Sequence, residues 1–186
     1  MRDKYIYLVF TKTGTWLSKL IYIFSNIKYA HTSISFDNSL RQMYSFGRIN
    51  PENPFSGGFV EESIYEGVYK KFTKCECMIY RVKVTTEQYC LLREKIDKFT
   101  LEKSNLRYNF LGLFGVLLNM PLRRENHYFC SQFVSEILME SNVFHSEKSP
   151  ALIKTNELFS IKNKEIIYEG FLLEKTETPH LNTLEG

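Results

Sequence analysis

The sequence lacks long hydrophobic runs. Near the N-terminus the longest apolar stretch covers only residues 5–10, and no later stretch approaches the roughly 20 apolar residues that a membrane span needs. No small-residue cleavage site follows residues 5–10, as it would in a secretory signal. These features predict a cytoplasmic protein with no stable membrane insertion.

Blocks of like charge are also absent. The chain has 24 basic and 21 acidic side chains, a net charge of +3, and no run of five or more like charges. Nucleic-acid arms and polybasic membrane patches depend on such runs, so we expect no nucleic-acid partner. A length of 186 residues with 44% hydrophobic residues predicts one folded domain, over residues 1–175, and a flexible polar tail over residues 176–186.

Cysteine and histidine are few, with four of each. Thiols of a cytoplasmic protein are expected to be reduced. Cys75 and Cys77 are two residues apart in a predicted strand, which places both on one face, and no His-x-x-x-His pair accompanies them. We therefore expect no metal and no organic cofactor.

Hydrophobic spacing predicts an α+β fold. Short aromatic and β-branched runs predict strands over residues 5–10, 29–36, 40–46, 59–63, 77–84 and 166–173. Apolar residues three and four apart predict helices over residues 16–24, 86–100 and 129–138, and a shorter helix within 150–161. The Gly- and Pro-rich residues 47–58 predict an exposed loop that could form a lid or rim, whereas residues 108–118 fit no single element.

Cys130 is the best candidate nucleophile in the chain. It opens the predicted helix 129–138, where free N–H groups and the helix dipole stabilise a thiolate. The same N–H groups could hold the oxyanion of a tetrahedral intermediate. The alternative is a small buried residue without chemistry, because free cysteine is among the most buried residue types.

A cysteine nucleophile needs a base, and His31 is the best candidate. It lies within a predicted strand, where a rigid backbone would aim its ring. His127 would have to fold back to reach Cys130, and His145 and His180 are expected in solvent. A structural role for His31 is the alternative.

A third residue would orient the His31 ring. A three-residue turn at 37–39 would pair Phe36 with Leu40 and place Ser45 opposite His31. A turn longer or shorter by one residue would bring Tyr44 or Phe46 there instead. We predict Ser45.

These residues carry a family resemblance. The strand sequence His31-Thr-Ser-Ile-Ser-Phe, followed about a hundred residues later by the helix sequence Tyr128-Phe-Cys-Ser-Gln-Phe-Val-Ser-Glu-Ile-Leu, resembles the circularly permuted NlpC/P60 papain-like cysteine hydrolases. Within this group it is similar to the permuted papain-like amidases and the lecithin:retinol acyltransferase-like proteins, in which histidine also precedes cysteine.

The resemblance implies an antiparallel sheet or small barrel packed against helices, with the nucleophile at a helix N-terminus. It also implies a Cys130–His31 dyad and a polar third residue on the strand after His31. Relatives usually have histidine, glutamate or a similar polar residue there. This chain departs from that pattern, because it offers Met43, Tyr44 and Ser45.

The expected function is a thiol-dependent hydrolase, amidase or peptidase-like, that forms a Cys130 acyl-enzyme with His31 as base. Its substrate would be a small-molecule, peptide or lipid-like amide or ester. An acyltransferase of the same fold and a catalytically inactive ligand-binding module are the alternatives. Further candidates for oxyanion or substrate contacts are Ser131, Tyr44 and Arg48, and those for an aromatic mouth, or equally for the core, are Phe46, Phe55, Phe59 and Phe110.

Overall fold

The computed structural model describes residues 3–12, 27–50, 53, 56–71 and 74–172. Three sequence predictions lie outside these ranges: the helix over residues 16–24, the position of Phe55, and the tail over residues 176–186. Within the described ranges, no helix is both long and apolar enough to cross a membrane.

A six-stranded antiparallel sheet forms the centre of the protein, in the order β4-β3-β2-β1-β5-β8. Its strands are β1 (Lys4–Lys12), β2 (His31–Ser35), β3 (Met43–Arg48), β4 (Gly57–Glu62), β5 (Glu76–Val84) and β8 (Lys164–Phe171). Two short segments, β6 (Arg107–Tyr108) and β7 (His127–Tyr128), form a separate parallel pair. All six predicted strands are confirmed, with ends shifted by a few residues, and the fold is α+β. The predicted loop 47–58 is shorter than expected, because β3 extends through Arg48 and β4 already begins at Gly57.

In the part of the chain that the structure describes, four α-helices accompany the sheet: α1 (Gly67–Lys71), α2 (Thr86–Leu101), α3 (Phe110–Leu117) and α4 (Cys130–Glu140). The helices predicted over residues 86–100 and 129–138 are confirmed as α2 and α4. The α2 helix begins at a capping box in which Gln88 N–H donates to Thr85 Oγ1 and Thr85 N–H to Gln88 Oε1. The stretch without an assigned element, 108–118, divides between β6 and α3. In place of the short helix within 150–161 are two 3₁₀ segments, Pro150–Leu152 and Thr155–Ser160.

Apolar residues cover both faces of the sheet. The larger cluster packs β1, β3 and β5 against α2 and α4 and includes Phe10, Phe46, Ile96 and Phe133. The smaller cluster lies on the opposite face; its buried members include Val9, Leu40, Met43, Tyr69, Cys75 and Cys77. Burial raises the pKa of Cys75 to about 12, which suits a neutral core thiol.

The hairpin between β2 and β3 does not have the predicted register. Ser35 pairs with Met43 and Ile34 with Tyr44, so the pairing of Phe36 with Leu40 is wrong. The connection spans residues 36–42, because Ser35 Oγ hydrogen-bonds with the carbonyls of Asp37 and Gln42. Leu40, at a φ of 52°, is fully buried in the smaller cluster. Continued along the strands, this register places Ser45 opposite Ser33 and not opposite His31.

Candidate active site

Cys130 is the first residue of α4. The preceding residue, Phe129, is the N-cap and has no hydrogen-bonding side-chain atom, and the first backbone bond of the helix joins Phe133 N–H to its carbonyl. The N–H groups of Cys130 and Ser131 therefore point out of the helix start. Cys130 is 3% exposed, and its Sγ lies 3.7 Å from the carbonyl oxygen of Ala30. The thiol is thus held against the beginning of β2.

His31 follows Ala30 and begins β2. Its Nε2 lies 3.1 and 3.2 Å from the two carboxylate oxygens of Glu62, and 3.3 Å from Ser33 Oγ. Nδ1 is therefore the nitrogen of the His31 ring that is available to the Cys130 thiol. Cys130 is close enough to act on the ring, since both it and Glu62 raise the pKa of His31. The structure thus brings together the two residues that the sequence singled out.

Glu62, at the end of β4, is the residue that sequence reasoning missed. Its carboxylate accepts hydrogen bonds from Ser33 and Ser45 at 2.8 Å and from Tyr69 at 3.1 Å, besides its contact with His31. Ser45, predicted to contact His31, contacts Glu62 instead, because of the shifted hairpin register.

A sequence signal for Glu62 exists. Glu61 and Glu62 are consecutive in a predicted strand, so their side chains point to opposite faces and one of them must face inward. The third residue is predicted on the strand directly after His31, which is β3. Glu62 lies on β4, one strand further from β2 in the sheet.

The His31–Glu62 contact is a charged pair. Burial alone would lower the pKa of His31, but the charge of Glu62 and the Cys130 side chain outweigh it and raise this pKa to about 10. Burial alone would raise the pKa of Glu62, but the His31 charge and the hydrogen bonds from Ser45 and Ser33 lower it. Each group thus favours the charged form of the other, an imidazolium beside a carboxylate.

Tyr108, in β6, brings a phenol to the same thiol. Its pKa lies well above the ordinary value, first because the hydroxyl is buried and then because of its contact with Cys130. Gly57 makes room for this ring, since a Cβ there would lie 2.6 Å from the Cβ of Tyr108. The phenol therefore stays protonated and can donate a hydrogen bond to a negative atom at the site.

The remaining predicted residues have other positions. The Ser131 hydroxyl donates to the carbonyl of Ile153 at 2.8 Å, which leaves only its backbone N–H for the site. Tyr44 is not at the site: its ring packs between Phe36 and Phe59 on the sheet face that carries the larger cluster. The predicted mouth residues Phe46 and Phe59 are buried in that cluster, and Phe110 contacts the Tyr108 ring at 4.7 Å.

A cavity of about 420 Å³ lies on the side of Glu62 away from α4. Arg48 lines it together with Arg41, Glu62 and Tyr69. Arg48 is thus placed near the carboxylate network and not beside Cys130. Among the described residues, no three His, Cys, Asp or Glu side chains are grouped so as to hold a metal ion.

No protein-family model matches the chain, and no curated protein matches it either.

Proposed function

We propose that the protein is a cysteine hydrolase that cleaves an amide or ester through an acyl-enzyme on Cys130. One observation supports this most directly: the His31 ring is fixed through Nε2 by the partly buried carboxylate of Glu62, and the same ring adjoins the Cys130 thiol at a helix start. Nucleophile, base and orienting group in this order form the arrangement of a catalytic triad.

In the proposed mechanism the sulfur proton passes to the His31 ring, and the Glu62 charge stabilises the resulting imidazolium beside the thiolate. The thiolate attacks the carbonyl carbon, forming a C–S bond and a tetrahedral oxyanion. The N–H groups of Cys130 and Ser131, with the phenol of Tyr108, are the donors near this oxygen.

Collapse of the tetrahedral intermediate breaks the C–N or C–O bond of the substrate, and His31 gives its proton to the leaving amine or alcohol. The neutral ring then takes a proton from water, whose oxygen attacks the thioester carbonyl. Release of the carboxylic acid restores the thiolate–imidazolium pair. Besides substrate and water, every step uses a group of this chain.

Glu62 acts through His31. By accepting a hydrogen bond from Nε2–H it fixes the ring and leaves Nδ1 for the sulfur, and its charge stabilises the imidazolium. Ser33, Ser45 and Tyr69 in turn fix the carboxylate. Cys130, His31 and Glu62 come from the start of one helix and from two strands of one sheet, so the geometry is set before substrate arrives.

The order of the residues also supports the assignment. Histidine on a strand precedes cysteine on a helix, as in the permuted papain-like hydrolases that the sequence resembles. Glu62 is a polar third residue of the type usual in that group, although it lies on β4 and not on the strand directly after His31. Because of this residue order, we also propose that the fold is of the permuted papain-like class.

Reaction with p-nitrophenyl acetate tests the proposal. We expect release of nitrophenolate with an acetyl group on Cys130, located by mass spectrometry, followed by turnover. Cys130→Ser abolishes both, whereas Cys90→Ser, which removes the exposed thiol on α2, leaves them unchanged. Acetylation of Cys130 no faster than that of Cys90 would overturn the proposal, as would full turnover by Cys130→Ser. Added amine that diverts product from acetate to amide at constant nitrophenolate release would show acyl transfer.

A further inference from the structure

Gly47 lies on β3 next to the contact between His31 and Glu62. The register of β2 and β3, continued two residues beyond the facing pair Ser33 and Ser45, places Gly47 opposite His31. A Cβ at Gly47 would lie 2.9 Å from Glu62 Oε1 and 3.5 Å from His31 Cε1. The position that faces His31 across the hairpin therefore has no side chain, and the Glu62 carboxylate borders the space that a side chain would fill.

The Glu62 side chain reaches this space along β3. Glu62 pairs with Met43, whereas Gly47 lies further along β3 and pairs with Gly58. Ser45, midway between Met43 and Gly47, donates a hydrogen bond to Glu62 Oε1. Residues two apart in a strand point to the same face, so these three positions of β3 share one face. The carboxylate thus extends along that face toward the ring, and a residue without a side chain ends its path.

A methyl group at position 47 would displace the carboxylate and not the strand. Nonbonded atoms pack best at about 3.5–4.0 Å, so a separation of 2.9 Å from Glu62 Oε1 requires a movement. The backbone of β3 is held in the sheet between β2 and β4, whereas the carboxylate is the end of a flexible side chain. Oε1 would therefore move away, and its hydrogen bonds with His31 and Ser45 would lengthen.

We propose that Gly47 is a positioning residue of the candidate active site, because its lack of a side chain lets the Glu62 carboxylate meet the His31 ring. Gly47 acts through Glu62 and takes no part in bond making. Its position explains how the orienting carboxylate can come from β4, two strands away from His31 in the sheet. The catalytic meaning of this inference rests on the proposed function, but the His31–Glu62 contact can be measured without turnover.

A neighbouring glycine provides the matched control. A Cβ at Gly57 would lie 2.6 Å from the Cβ of Tyr108, and its next neighbours are the Tyr108 ring and the Gly47 carbonyl. Gly57 belongs to β4 and pairs with Arg48, next to Gly47 on β3. Gly57→Ala therefore crowds the same two strands as Gly47→Ala, but it meets Tyr108 and not Glu62.

Other titratable or charged groups surround the His31–Glu62 contact. They are Cys130 on α4, Tyr69 on α1, Tyr108 on β6 beside Cys130, Cys75 before β5, and Arg41 and Arg48 in the lining of the cavity. None of them is among the three atoms nearest to a Cβ at Gly47, which belong to Glu62, Val60 and His31. A changed titration of His31 in Gly47→Ala therefore reports on the Glu62 carboxylate.

NMR titration of the His31 ring in the full chain tests the inference. In Gly47→Ala we expect the titration midpoint to fall by about one pH unit or more relative to the wild type, because the carboxylate no longer contacts the imidazolium. Gly57→Ala should titrate as the wild type does. Thermal melts confirm that each variant is folded.

A double variant distinguishes positioning from general distortion of the strands. Glu62→Ala removes the oxygen that the methyl group would strike, so Gly47→Ala added to it should shift the His31 midpoint no further. A distortion that is independent of Glu62 would shift the midpoint in both backgrounds. If Gly47→Ala alone does not fold, Gly47→Ala/Glu62→Ala should recover the stability of Glu62→Ala, for the same reason.

Four results would overturn the inference. They are an unchanged His31 midpoint in folded Gly47→Ala, an equal fall in Gly57→Ala, an equal shift by Gly47→Ala with and without Glu62, and a double variant that stays unfolded where Glu62→Ala folds. Failure of the wild type to acetylate Cys130 would instead overturn the proposed hydrolase, and it would leave the His31 titrations unaffected.

Discussion

Replacement of Glu62 by glutamine removes one charge and leaves the side-chain size unchanged. In the wild-type protein the Glu62 carboxylate accepts hydrogen bonds from four groups, on His31, Ser33, Ser45 and Tyr69. A glutamine amide has one acceptor oxygen, with room for two donors, and its NH₂ group turns a donor toward donors. At least two of the four groups therefore lose their acceptor.

The magnitude follows from this count. A buried donor without an acceptor costs about 1–3 kcal/mol, so two of them cost about 2–6 kcal/mol of unfolding free energy. Serine hydroxyls can rotate to accept from the new NH₂, which favours the lower end. Without the Glu62 charge the pKa of His31 falls, because burial is then opposed only by the Cys130 side chain.

Alkylation by iodoacetamide measures the consequence for the thiol. Loss of the Glu62 charge removes a stabilising contribution to the imidazolium that the reaction uses, so we expect alkylation of Cys130 to slow by about tenfold, the factor that corresponds to one pKa unit. The exposed Cys90 of the same chain is the internal reference. Glu61→Gln is the matched control, since Glu61 is exposed on β4 and contacts Gln42 and Lys103.

The reasoning is refuted if folded Glu62→Gln alkylates Cys130 at the wild-type ratio to Cys90. Titration of the His31 ring signals by NMR provides a second readout. The wild-type ring should remain protonated well above pH 6.5, the ordinary value, and the variant ring should not. An unchanged His31 titration would show that Glu62 does not control the ring.

Three further predictions concern other parts of the site and the fold. Tyr108→Phe removes the phenol beside Cys130 and should lower the rate of ester turnover by about 10- to 1,000-fold; equal turnover would exclude the hydroxyl as a donor. Gly115→Ala forces a methyl group against the Met120 carbonyl and should cost about 1–3 kcal/mol in urea unfolding, whereas an unchanged midpoint would contradict the close approach. The His31–Glu62 pair should make stability depend on pH. The His31 contribution to stability is complete below pH 6.5 and is lost as pH rises through about 10, whereas that of Glu62 is present above pH 4.5 and is lost on acidification. The difference in unfolding free energy between wild type and Glu62→Gln should therefore be largest between pH 4.5 and 6.5. A difference that does not change with pH would refute the pairing.

The sequence predicts most of the elements, and it singles out Cys130 and His31, which the structure brings together, because these predictions depend on local signals. Periodic apolar residues and the Thr85–Gln88 capping box specify α2, and Cys130 is the first residue of a strongly amphipathic segment. The small helix α1 was not predicted. At five residues, it is too short to show a periodic pattern, although its Tyr69 reaches Glu62.

The third residue of the site depends on non-local structure. The sequence predicts a short turn at residues 37–39. In the structure, the burial of Leu40 and the hydrogen bonds of the Ser35 hydroxyl lengthen the connection to residues 36–42. The resulting shift of two residues moves Ser45 away from His31. Glu62 reaches the ring from β4, and the neighbours of a strand two places away in a sheet cannot be read from hydrophobic spacing alone.

The contact between Cys130 Sγ and the Ala30 carbonyl joins positions 100 residues apart in the chain. Contacts of such sequence separation form slowly, because loop-closure entropy is lost before the contact contributes any stability. During refolding, the Cys130 thiol should therefore stay accessible to solvent until the N-terminal strands have assembled on α4. Pulsed alkylation of Cys130 at successive refolding times would then record when the segments around Ala30 and Cys130 come together, so the reactivity of this thiol reports on the formation of a long-range contact.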